Sequence, residues 1–187
     1  MPDLSSNSKK LLLELARKAI RNYLETGNHL AFQTDSPECN LKRGCFVTLR
    51  EKGALRGCVG TFDMQFFLYQ NLIRMATAAA FQDVRFSPVT RQDLDQIQIE
   101  ISVLGELQKV QALNEIEIGR HGIYVKLDSR SGTFLPDVAV DQKWSVPEFV
   151  TYCAREKAGL DPDECAFAEV YRYEVEKFSE MIFKEPK

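Results

Sequence analysis

Residues 97–104 alternate without a break: Ile97, Ile99, Ile101 and Val103 point one way, and Gln98, Glu100 and Ser102 the other. A period of two is the mark of a β-strand with one buried face. Such a strand cannot bury that face alone, so the chain must supply a sheet and something to lay against its apolar side. Two helical patterns answer. Residues 8–26 place Leu12, Leu15, Ala16, Ala19, Tyr23 and Leu24 on one stripe, with Gly27 as a stop. A second helix is predicted over 65–82, capped by Asp63, with Leu68, Leu72, Met75, Ala76, Ala79 and Ala80 inward. Between them, 45–50 and 54–60 read as a hairpin turning at Lys52-Gly53.

The remaining elements do not alternate regularly. Residues 28–44 read as a loop. Thr90-Arg91-Gln92-Asp93 resembles a capping signal for one short turn. Short strands are predicted at 123–127 and 133–135, joined through Ser129-Arg130-Ser131-Gly132. Ser145-Val146-Pro147-Glu148 is a capping box opening a helix that closes at Gly159, and 166–178 reads as a last, long strand. The pattern predicts an α+β fold, a mostly antiparallel sheet with flanking helices, rather than a doubly wound parallel sheet. With 187 residues and no linker, we expect one domain over 1–187, with two lobes that do not fold independently.

A formal net charge of −3 argues against a protein that mainly coats nucleic acid or acidic membranes. No run of about 18 apolar residues occurs, and the polar start offers no signal-peptide core. Five scattered cysteines suit reduced thiols in a cytoplasm better than a disulfide framework. No metal site is expected: Cys39 and Cys45 lack a zinc-knuckle spacing, and there is no histidine pair. The chain has no GxxxxGK[ST], GxGxxG or GxSxG sequence, which argues against nucleotide-driven and serine hydrolase chemistry. Phe46 and Phe66-Phe67 read as core rather than as base-stacking platforms.

The chemistry concentrates in Leu55-Arg56-Gly57-Cys58-Val59-Gly60. On an extended strand Arg56 and Cys58 share a face, and a guanidinium beside a thiol favours the thiolate. Gly57 and Gly60 would let a ligand or another backbone approach. Cys58 then reads as a nucleophile, redox centre or soft metal ligand that alkylates faster than Cys153 or Cys165. The competing reading is a small buried residue in a packed strand. His121 precedes a strand, from where it could serve Cys58 as general base, oriented by Glu100 or Asp83, or simply bond its own turn. In Asp83-Val84-Arg85 the two charges either lock a loop, or Arg85 joins Arg56 in holding an anionic group. Glu100 either lines a cleft or stands on a solvated strand face.

These residues resemble a known family, the AMMECR-type domain, whose small prokaryotic members are called AmmeMemoRadiSam system protein A. The likeness runs from about 10 to 180 and rests on Gly44-Cys45-Phe46-Val47-Thr48-Leu49, the LRGCxG hexapeptide, Asp83-Val84-Arg85-Phe86, Glu100-Ile101-Ser102-Val103-Leu104, Gly119-Arg120-His121-Gly122-Ile123 and Leu135-Pro136-Asp137-Val138-Ala139. Val59 replaces the commoner Ile, and Asp137 stands where many members have Gln. The resemblance implies a larger and a smaller lobe around a cleft, with LRGCxG as the functional site and no securely assigned reaction. It also implies a shared pathway with a Memo-like protein and a radical S-adenosylmethionine enzyme; no cofactor follows from it. The expected function is a cytoplasmic enzyme or enzyme partner that uses Cys58, with His121 and Glu100, on an anionic substrate held by Arg56, Gly57, Gly60, Asp83 and Arg85. The alternatives are a non-catalytic docking module and, with less support, an RNA-binding accessory.

Overall fold

The structure is a computed structural model and describes residues 3–183; the outermost residues of the expected 1–187 domain lie outside that range. The chain divides into two compact units. Among the described residues, unit 1 comprises 3–104 and 176–183, and unit 2 105–175.

Unit 1 is built around three consecutive antiparallel strands. Strands β1 (Cys45–Glu51) and β2 (Ala54–Thr61) form the expected hairpin, and β3 (Ile97–Leu104) pairs with β1 on its other side. The turn is made by Lys52 and Gly53, both at positive φ, the backbone that a tight hairpin needs. The end of β7 (Glu169–Ser179) follows β3 in the sheet order, so β2 is an edge. One face of this sheet carries Val47, Leu49, Ile97, Ile99 and Ile101, all buried, and packs with helices α1 (Ser6–Thr26) and α2 (Leu68–Phe81) into one core. Helix α1 stops at Gly27, which takes the left-handed conformation and returns its N–H to the Tyr23 carbonyl.

Two details differ from expectation. Helix α2 starts at Leu68 rather than 65, with Phe67 as its N-cap residue. Gln70 Oε1 accepts the Phe67 N–H, while Asp63 makes a local turn by accepting the Gln65 N–H. The expected helix start is thus used one turn early, as a loop. The second concerns the polar face of β3, which is solvated only in part: Gln98 and Glu100 are partly exposed, whereas Ser102 is 1% exposed. The short turn at Asp93–Asp95 forms as expected, with the Thr90 N–H on Asp93 Oδ2 at 2.8 Å.

In unit 2, β5 (His121–Leu127) pairs with β6 (Arg130–Phe134) and with β7, and the two-residue strand β4 (Gln108–Lys109) also pairs with β7. All three pairings are antiparallel. The β5–β6 turn is shorter than expected, Asp128 taking positive φ so that Arg130 already pairs with Leu127. Helix α3 (Pro136–Gln142) has no counterpart in the sequence periodicity; seven residues are too few to establish a stripe. Helix α4 (Val146–Tyr152) opens at Ser145 as expected, where the Glu148 carboxylate accepts both the N–H and the hydroxyl of Ser145. It continues as a π-helical turn, Cys153–Lys157. Phe149, Cys153, Ile123, Val125 and Phe134 form the core of this unit.

Candidate functional site

The LRGCVG segment is a strand, as expected, but the strand is not regular. Leu49 pairs with Gly57 and Arg50 with Leu55, which leaves Arg56 as an extra residue on β2. Such a bulge breaks the two-residue alternation. Arg56 therefore does not share the Cys58 environment. Its guanidinium donates to the carbonyls of Ser87 (2.6 Å) and Pro88 (3.4 Å), lies 3.4 Å from Asp93 Oδ2 and 3.9 Å from Glu51. Glu51 follows Val47 and Leu49 on the helix-covered face. Arg56 thus ties down the segment after α2, and the expectation that it activates the Cys58 thiol is overturned.

Cys58 lies on the other face. It stands opposite Thr48, and Thr48 stands opposite Glu100. The thiol and the Thr48 hydroxyl are 3.3 Å apart. Glu100 Oε1 in turn lies 3.0 Å from Lys177 Nζ. Cys58, Thr48, Glu100 and Lys177 thus form a polar row on the sheet face away from α1 and α2. Ser102, one pleat along from Glu100, has a buried hydroxyl with no hydrogen-bond partner among the described residues.

Asp83 and Arg85 bind the backbone of Cys58 rather than its side chain. Asp83 Oδ2 accepts the Cys58 N–H at 2.8 Å, and Arg85 Nη2 donates to the Cys58 carbonyl at 3.1 Å. The two side chains bond each other in fork geometry, at 2.9 and 2.7 Å. A carboxylate and a guanidinium therefore occupy the place of a neighbouring strand at the free edge of β2, which protects an otherwise unpaired edge. Of the two roles expected for Arg85, the structure shows the lock. The Arg85 guanidinium and the Cys58 and Arg85 N–H groups hold the Asp83 carboxyl at about 2, well below the usual range.

Burial pushes the Cys58 thiol above its ordinary value; Thr48 and Arg85 pull it down, and Asp83 and Glu100 push it up. The environment therefore opposes the expected low-pKa thiolate: desolvation outweighs the pull of Thr48 and Arg85. Burial acts more strongly on Cys45 and Cys153, both pushed up to about 12.

The two glycines admit protein, not ligand. A Cβ on Gly57 would lie 2.2 Å from the carbonyl oxygen of Ala79, so α2 packs directly on this strand. A Cβ on Gly60 would lie 2.2 Å from the Phe46 ring, which covers it from across the hairpin. Gly57→Ala is expected to destabilise by about 1–3 kcal/mol, because the obstacle is backbone and cannot rotate away; urea denaturation measures it, and an unchanged midpoint would show that α2 does not seat here.

His121 belongs to unit 2. It is 7% exposed, and its Nδ1 accepts the Glu117 N–H at 3.0 Å. Burial, then the charges of Arg172 and Arg120, lower its pKa, which favours the neutral ring. Of the expected site residues, the structure brings together Cys58, Asp83, Arg85 and Glu100, sets Arg56 against the 87–93 segment, and places His121 on its own turn. Thr48, Ser102 and Lys177 join the site without having been expected. Thr48 could have been found by extending the hairpin register from Cys58; nothing local marks Lys177. Among the described residues no cluster of His, Cys, Asp or Glu is arranged to hold a metal ion, and no helix is long and apolar enough to cross a membrane.

The family model described as AMMECR1 matches residues 13–178. This chain belongs to the AMMECR1 family. Among its relatives, Protein MK0488 of Methanopyrus kandleri is 37% identical over 191 residues, covering 95% of this chain and 90% of that protein. Protein MJ0810 of Methanocaldococcus jannaschii is 37% identical over 176 residues, covering 89% and 87%. The crystal structure of the uncharacterized protein PH0010 from Pyrococcus horikoshii shares the fold at a TM-score of 0.87 with 33% identity, covering 94% of this chain and 93% of that one. The expected family and α+β class thus hold for nearly the whole AMMECR1-family chain.

Proposed function

We propose that this chain binds a small polar ligand on the sheet face of unit 1 that carries Cys58, Thr48, Glu100 and Ser102, with Cys58 serving as a neutral thiol. The observation that carries this reading is the Ser102 hydroxyl, buried without a partner beside the polar row. A buried hydroxyl left unpaired costs about 1–3 kcal/mol, and a ligand that bonds it recovers that cost. Two facts support a neutral thiol over a nucleophile acting on an anion. Arg56 and Arg85 are both committed to internal partners, and burial raises the thiol. On this reading the Memo-like and radical S-adenosylmethionine proteins implied by the resemblance are partners that share the ligand, while this chain holds it.

Ser102→Ala tests the role of the hydroxyl. Without ligand, the variant should be more stable than the parent by about 1–3 kcal/mol, since it removes a polar group that bonds nothing. A loss of about 1 kcal/mol or more would mean that the hydroxyl serves the fold. Alkylation with iodoacetamide, read by mass spectrometry across pH, tests the thiol. Cys58 should label ahead of Cys45 and Cys153, with a midpoint above that of an ordinary thiol. A rate already at its plateau at neutral pH would establish a resting thiolate and return the nucleophile to first place.

A further inference from the structure

A second site lies in unit 1 on the outer side of α2. Phe66 and Phe67, expected in the core, are 40% and 37% exposed. Phe66 forms one wall of an open groove of about 590 Å³, between the start of α2 and the extended segment 29–33. This is the size range of small-molecule sites. Tyr69 and Phe32 line the same groove, with ring centroids 6.1 Å apart and edge to face. The Arg74 guanidinium lies over the Phe66 ring, 4.6 Å from its centroid. Its polar contacts are long: 3.5 Å to Asn71 Oδ1 and 3.8 Å to Asp63 Oδ2. A guanidinium has five donors, so these contacts leave it capacity for an anion.

The other wall is main chain. Ala31, Phe32 and Gln33 belong to no helix or strand, and among the described residues their main-chain groups bond to nothing. Phe32 turns inward against the core while Ala31 and Gln33 face out, so the exposed edge offers both N–H and C=O. Aromatic faces, a free main-chain edge and a stacked guanidinium are together what a ring with hydrogen-bonding edges and an attached anion requires. Rings supply stacking, main-chain groups read the edge, and Arg takes the anionic group.

We propose that the groove between residues 29–33 and the start of α2 binds a nucleotide: a planar heteroaromatic ring stacked on Phe66, edge-bonded by the main chain of Ala31 and Gln33, with its phosphate on Arg74. The site is independent of the Cys58 row.

The test is amide chemical-shift titration of the full chain with AMP, GMP, CMP and UMP separately, each against its nucleoside, and with a short oligonucleotide. At least one monophosphate should shift the amides of 29–33 and 66–74 and saturate, and its nucleoside should bind about tenfold more weakly. Arg74→Gln should remove that tenfold difference and leave nucleoside binding intact. Phe66→Ala should weaken nucleotide and nucleoside alike by about tenfold. Both side chains are exposed, so the variant spectra outside the groove report whether the fold is kept. An oligonucleotide that binds no better than its monomer assigns the free nucleotide; tighter binding assigns the same chemistry to a single strand. The proposal is overturned if no monophosphate shifts these amides at about 10 mM, or if binding is unchanged in both variants.

Discussion

Ile99→Ala is expected to destabilise the protein by about 2–5 kcal/mol. Ile99 is fully buried and stands opposite Leu49 on the central pair of strands in unit 1. Its side chain belongs to the core shared with Leu12, Leu15, Ile20, Leu68 and Leu72 of the two helices. Truncation removes the transfer free energy of the lost carbons and leaves a cavity between a sheet and two helices, neither of which can collapse without moving the other. The loss should appear as a lower urea midpoint at unchanged slope. A change below about 1 kcal/mol would mean that the site relaxes or that Ile99 is not core.

Asp83→Ala is expected to cost about 2–4 kcal/mol. The side chain is 5% exposed, and its carboxylate receives bonds from the Cys58 N–H and from Arg85. Removal leaves an edge-strand N–H unpaired and a guanidinium held beside a carbonyl with no counter-charge. The same carboxylate gives a pH signature. Its folded pKa of about 2 lies below the ordinary 3.8, so the folded state binds the proton less readily than the unfolded state. The resulting stabilisation is complete above the unfolded value and is lost as pH falls through the folded one. Because Arg85 is half exposed, we set its size at about 1–2 kcal/mol, lost between roughly pH 5 and pH 2. Asp83→Asn keeps an acceptor for the Cys58 N–H and removes the titration. Its urea midpoint should fall less steeply over that window than the parent's, and parallel curves for the two proteins would show that Asp83 contributes nothing to acid sensitivity.

Most of the backbone was legible. The alternation over 97–104 marks β3 to the residue, because a strand with one buried face repeats every two positions and no other element does. The hairpin, the Gly27 stop and the Ser145–Glu148 cap follow from turn and cap chemistry, which acts over a few residues. Competing local signals obscure the rest. Asp63 suits a helix cap, but it serves a turn and the helix waits for Phe67 and Gln70. Phe66 and Phe67 look like core by composition, yet hydrophobicity alone does not say which apolar side chains the core has room to cover.

Cys58, Asp83, Arg85 and Glu100 of the candidate site were named by sequence, but Thr48, Ser102 and Lys177 were not, and neither was the chemistry. Local periodicity placed Arg56 and Cys58 two apart on a strand and so on one face. One extra residue in the ladder, visible only in the pairing of β1 with β2, sends Arg56 to the other side. The cation that does bear on Cys58 comes from Arg85, 27 positions away, and the thiol's pKa is governed by burial, which no neighbour in sequence creates. Sequence by itself determined most of the elements, the family likeness and part of the polar site, because period, turn and cap are short-range properties of the backbone. The tertiary structure alone decided which charges meet, which donors are already satisfied and which hydroxyl is left over, because desolvation and hydrogen bonding depend on segments that the fold brings together from far along the chain.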